Sequence, residues 1–307
     1  MKYDGLRTPP TISQMLLRAR SGERAGFGVA ALFTLTMFVS AALLFVVQPM
    51  FARMILPLLG GSPSVWNTAV VFYQVGLLGG YLYAHLTRTF LRPRQQALLH
   101  AAVILLPLLT LPIAVPAGWT PPTTTNPIPW LLLLLTVAIG LPYFVVSTSS
   151  PLLQSWFART DHPSAHDPYF LYAASNVGSM LSLLAYPFVI EPRLALLQQS
   201  RVWSIGYGLL VLLVLLCVVV VWRSTGAQAQ RSTAEDQPVA EADAQPVAEV
   251  TWPRRIRWAL LSAVPSSLMI SVTAYLSSNI APFPLLWIVP LALFLLTFIL
   301  VFATRPP

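Results

Sequence analysis

The chain has a single cysteine, Cys217, a single lysine, Lys2, and charged residues amounting to 9% of 307. One cysteine excludes an intrachain disulfide, and inside an apolar run its expected role is that of a small core or lipid-facing side chain. Charge this sparse is far below the roughly 25% of a soluble domain. Acidic residues number ten, and none lies deep within an apolar run; Glu191 stands at the margin of one. A phosphate-cradling Gly-rich loop, a nucleophile elbow, Cys-x-x-Cys and His-Glu-x-x-His are all missing. No soluble catalytic domain is therefore expected, nor a cofactor, and the chain as it stands does not read as an enzyme. The net charge of +8 suggests a nucleic-acid partner, but the basic residues border apolar runs instead of forming a patch, and no reader motif occurs. Nucleic acid is excluded as a partner on that ground.

What the sequence has is hydrophobicity, at 56% of residues, gathered into eight runs. They are Phe27–Val47, Val65–Ala84, Ala97–Val115, Pro129–Thr148, Tyr169–Ile190, Val202–Trp222, Ala259–Asn279 and Leu285–Ala303. About 20 apolar residues at a rise of about 1.5 Å cross a hydrocarbon core of about 30 Å. Lipid offers the backbone no hydrogen-bond partner, so each run is expected to be a helix. The fold class is all-α: a polytopic helical membrane protein with a six-helix bundle and two further transmembrane helices. Lys and Arg divide 15 to 3 between alternate connections, the minority being Arg53, Arg193 and Arg201. Positive residues favour the cytoplasm, which predicts cytoplasmic N- and C-termini.

The expected organisation is a basic tail over 1–26, the bundle over 27–222, a linker over 223–255, and a helix pair over 256–307. The first span is too long for a signal h-region, and Thr11–Arg24 reads either as a basic interfacial helix or as a disordered tail. The linker is rich in Ala, Gln and acidic residues, lacks aromatics from Ser224 to Val250, and repeats QPVAEADA as QPVAEV, the composition of a disordered segment. Pro63-Ser64-Val65-Trp66 before the second run is echoed by Pro284-Leu285-Leu286-Trp287 before the eighth, and each run ends at Arg-Pro. A pattern restarting after six helices and a long linker is the plan of a two-repeat transporter that stops early.

Polar groups within apolar runs are costly, and they are the candidates for function. Gln48, Asn67, Tyr73, Gln74, Tyr172, Ser175 and Asn176 are the substrate-path candidates, joined by the Ser147–Ser150 run expected at the end of the fourth span. Two readings stand: a central polar cavity, or hydrogen-bond glue between helices worth about 0.6 kcal/mol each. The absence of a buried carboxylate weighs toward glue. Arg53 and Glu191 are candidates for an outer gate, or for an ordinary solvated pair. Gly76-x-x-x-Gly80, Ala174-x-x-x-Gly178 and Ser175-x-x-x-Ser179 place small residues on one helix face, where backbones pack closely. The His162–His166 pair, flanked by Asp161 and Asp167, has i, i+4 spacing, but Pro163 and a loop setting argue against a metal site. His85 and His100 read as packing or interfacial residues in the absence of a deep acidic partner.

Four stretches, Gln48–Gln74, Gly140–Ala158, Asp167–Pro192 and Val264–Phe302, resemble the membrane region of bacterial major-facilitator/spermidine-synthase fusion proteins. That resemblance implies a multi-pass inner-membrane protein with a transporter-like bundle, handling a polyamine or related small solute. In that family a Rossmann-like synthase domain follows the membrane region, and here the chain stops after the eighth run. The same resemblance therefore admits a membrane anchor for a cytoplasmic enzyme partner, or the truncated membrane half of an aminopropyltransferase. Where the major-facilitator pattern has an acidic residue after its second helix, this chain has His85, followed by Arg88, Arg92 and Arg94.

Overall fold

The computed structural model describes residues 12–60, 62–122, 124–160, 162–166, 168–234, 251–279 and 288–301. Among them the regular structure is helical throughout. The helices are α1 (Ile12–Leu59), α2 (Pro63–Phe90), α3 (Pro93–Val103), α4 (Ile128–Phe157), α5 (Tyr169–Arg193), α6 (Leu196–Ala234), α7 (Trp252–Asn279) and α8 (Ile288–Val301). Six of them (α1, α2, α4, α5, α6 and α7) contain stretches long and apolar enough to cross a membrane. The chain is a polytopic helical membrane protein.

Local chemistry sets the helix ends. Gly60 takes φ +70 after α1 and its N–H returns to the Leu56 carbonyl at 2.9 Å, a left-handed cap that a side chain would strain. Pro63 and Pro93 open α2 and α3 at the first turn, where the missing N–H costs nothing. In α4 a wide π-helical turn at Thr136–Gly140 precedes Pro142, and in α5 one at Tyr186–Ile190 contains Pro187. A proline has no N–H to give the preceding turn, and the wider turn accommodates its ring.

The third run departs from expectation. Helix α3 has 11 residues, followed by a 3-10 turn at Leu106–Leu109 and irregular chain through a cis Leu111–Pro112 bond. Pro107, Pro112 and Pro116 remove three backbone donors within ten positions, so a helix over Ala97–Val115 cannot close. Irregular backbone survives at membrane depth only where protein satisfies its polar groups, and α6 does so here. The Tyr207 hydroxyl donates to the Ile104 carbonyl at 2.7 Å, and the Ser200 hydroxyl donates to the Ile113 carbonyl at 2.5 Å. Ile104 and Ile113 are fully buried beneath them.

Other boundaries shift as well. Helix α1 runs unbroken from Ile12, so the Thr11–Arg24 tail is helical from Ile12 and continuous with the first span. Helix α6 continues to Ala234 and α7 starts at Trp252, so both ends of the expected linker are helical. Ala and Gln are good helix formers, which lets α6 extend past Trp222. Residues 235–250, with the QPVAE repeat, lie outside the described residues, as do Asp161, Asp167 and 280–287. Helix α8 has 14 described residues, or about 21 Å.

Helix α1 is central and packs against α4, α5 and α6, while α2 packs on α4 and α8 on α5. The small residues allow this. A Cβ added at Gly178 would stand 2.7 Å from the Phe38 carbonyl oxygen of α1, and one at Gly80 would collide with the Ser147 hydroxyl of α4. Cys217 is buried against Thr36 of α1 at 3.5 Å, a core position. At one end of the bundle Arg94 covers the Trp222 ring at 5.4 Å, joining α3 to α6. Arg159, in the turn after α4, has its guanidinium lowered from its ordinary value by burial and by nearby Arg88.

Candidate functional site

A cavity of about 230 Å³ lies between α1, α2, α4 and α5, with α7 and α8 contributing Met269, Thr273, Leu291 and Leu295. All seven substrate-path candidates line it: Gln48 from α1, Asn67, Tyr73 and Gln74 from α2, and Tyr172, Ser175 and Asn176 from α5. Spacing explains the convergence. Asn67 and Gln74 stand seven apart and Tyr172 and Asn176 four apart, so each pair shares a helix face. On α2 the wall extends from Trp66 to Tyr81, roughly 22 Å of helix and most of the bilayer core.

Several wall groups are committed to backbone. The Ser40 hydroxyl donates to the Val146 carbonyl at 3.3 Å, which ties α1 to α4. Ser147 donates to the Gly76 carbonyl at 3.1 Å and to the Phe144 carbonyl at 2.7 Å. Gln48 donates to the Leu44 carbonyl at 3.3 Å, and Ser179 to the Ser175 carbonyl at 2.9 Å. Asn176 differs. It is buried at 8% exposure, and its Nδ2 is shut off from solvent with no hydrogen-bond partner.

The wall is aromatic and electrically neutral. Tyr73 and Tyr143 meet with ring centroids 5.1 Å apart, Phe72 closes on Tyr73 at 5.8 Å, and Tyr172 packs on Phe298 at 6.3 Å. No Asp, Glu, Lys, Arg or His is among the described residues lining the cavity.

Sequence reasoning placed the Ser147–Ser150 run at the end of a span; the structure puts it inside α4, with Ser147, Thr148 and Ser149 buried, because the helix continues to Phe157. It passed over Ser40, Tyr81, Tyr143 and Thr273, which also line the cavity. Tyr143 lies one turn before Ser147 and Ser40 about two turns before Gln48, a periodicity that would have found them. Nothing in the sequence marks Thr273.

The two gate candidates form an ion pair joining α1 to α5, with side chains 34% and 20% exposed. Arg53 follows cavity-lining Gln48 by five residues, about 7.5 Å along α1. Arg193 instead donates to the Phe188 carbonyl at 3.0 Å and the Val189 carbonyl at 3.3 Å, near the end of α5.

The histidines lie elsewhere. His85 is exposed, whereas His100 is buried between Tyr83 and Trp156, at 5.9 and 5.7 Å between ring centroids. Beside it Trp156 donates to Gln96 at 3.2 Å and Gln96 donates to Thr87 at 3.0 Å, binding α2, α3 and α4 together. His162 packs on Phe157 at 5.2 Å and its Nδ1 accepts from the Ser164 N–H at 3.0 Å.

No family model matches the sequence, and no curated protein or solved structure matches it either.

Proposed function

We propose that the chain is a membrane transport module that passes a small organic solute through the cavity between α1, α2, α4 and α5. The observation that carries this reading is the depth of the lining: Asn67, Tyr73, Gln74 and Tyr81 recur among apolar residues along roughly 21 Å of α2 without a charged group among them. Polar groups at membrane depth are costly, and a set of them facing one cavity supports a pathway. A polyamine or related solute is the class that the family resemblance implies. A bacterial inner membrane with both termini cytoplasmic is the setting that the resemblance and the 15-to-3 basic bias support.

The single native cysteine makes a test of access direct. In a Cys217→Ser background, Asn67→Cys and Tyr81→Cys place a thiol toward opposite ends of the wall. Transport predicts that a membrane-impermeant maleimide modifies each thiol from both sides of a sealed proteoliposome. Modification of each position from one side only, under every condition, would rule transport out.

A second reading, an anchor for a separate cytoplasmic enzyme, is favoured by α7, whose residues Trp252–Leu268 are exposed along their whole length. Photocrosslinking from Leu261 separates the two: an adduct with one protein of constant mass supports the anchor, and adducts with lipid alone remove it.

A further inference from the structure

The chemistry of the cavity wall narrows the solute, and the narrowing rests on the reading of this cavity as a solute site. A polyamine carries several localised ammonium charges. Each would leave water for a wall without a carboxylate, and the attraction of ring faces does not replace its hydration. The wall suits a different guest. The Tyr73 and Tyr143 rings, tilted by 47° with centroids 5.1 Å apart, give the wall aromatic faces, against one of which a planar molecule stacks. Asn176 is more than nine-tenths buried, and its Nδ2 has no hydrogen-bond partner where Gln48, Ser40, Ser147 and Ser179 are spent on backbone. A primary amide offers a donor and an acceptor side by side, and its complement is another amide, urea or lactam edge. Leaving that donor unpaired is unfavourable in the empty site, and a guest that draws the amide into the cavity and pairs with it relieves that cost.

We propose that the cavity binds a neutral, planar small molecule with a carboxamide-type edge, its ring on the Tyr73–Tyr143 wall and its amide on Asn176, and that it rejects fully protonated polyamines.

The test uses the full chain in nanodiscs and three probes: benzamide, toluene and spermidine. Benzamide is expected to bind saturably with Kd on the order of 1 mM, as suits a ligand this small, and spermidine at least tenfold more weakly. Asn176→Leu should cost benzamide tenfold or more while toluene binding persists, which shows that the cavity is still folded. Should toluene binding vanish too, Asn176→Ser replaces it in the same comparison. Asn176→Asp should gain spermidine binding, because it supplies the missing carboxylate. The proposal is overturned by spermidine binding to the native chain as well as benzamide does, by no saturable benzamide binding, or by benzamide affinity unchanged in both the Leu and Ser variants. Spermidine bound in competition with toluene would overturn the ligand class and leave the solute-site reading intact. One-sided thiol access would overturn transport whatever the ligand.

Discussion

The contact between the third run and α6, and the cavity between α1, α2, α4 and α5, are built from the same kinds of side chain at membrane depth. They differ in what those side chains touch. At the first, Tyr207 and Ser200 each donate to a backbone carbonyl in the stretch where prolines interrupt the helix. Trp203, stacked on Tyr207 at 5.6 Å, donates instead to the Leu43 carbonyl of α1 at 2.9 Å. These are structural hydrogen bonds, and the region is closed. At the cavity, the Asn176 Nδ2 has no hydrogen-bond partner. Tyr207, Ser200 and Asn176 therefore differ in whether a partner carbonyl lies within reach.

The comparison can be broken at several points. The largest effect is expected where backbones touch: Gly178→Leu drives a side chain into the Phe38 carbonyl, and overpacking should cost about 3 kcal/mol, read from thermal unfolding in detergent. A smaller loss, about 1–3 kcal/mol, is expected for Tyr207→Phe, which leaves the Ile104 carbonyl without a donor. Asn176→Leu should leave stability unchanged or raise it, since it deletes an unpaired buried polar group. If Asn176→Leu destabilises as much as Tyr207→Phe, the distinction between the two regions fails. The smallest effect concerns the ion pair. Arg53→Glu or Glu191→Arg should cost no more than about 1 kcal/mol at this exposure, with the double swap restoring native stability. A gate further requires either single change to alter thiol access at the cavity and the double swap to restore it.

Much of the fold was legible because its rules are local. Run length and hydropathy located the six long helices, and Gly76, Gly80 and Gly178 announced the close contacts where they occur. The third run misled because its hydropathy matched a span while its prolines did not. Its repair depends on Ser200, 87 residues from the carbonyl it serves, a partnership without a local signal. The seven cavity candidates were legible as costly polar groups, but their meeting was not, since they come from three helices and the enclosing wall adds Tyr143, Thr273 and Leu291 from three more. The Arg53–Glu191 pair was anticipated as a contact from depth alone; its regulatory role belongs to the charge-swap experiment.

Length, hydropathy and sparse charge settle that the chain is helical and lives in a membrane, because the hydrogen bonds that lipid demands form within four residues of each donor. Whether a given Ser, Tyr or Asn is glue or site is settled by packing. It depends on which distant carbonyl comes within about 3 Å, and that follows from how the helices lie against one another.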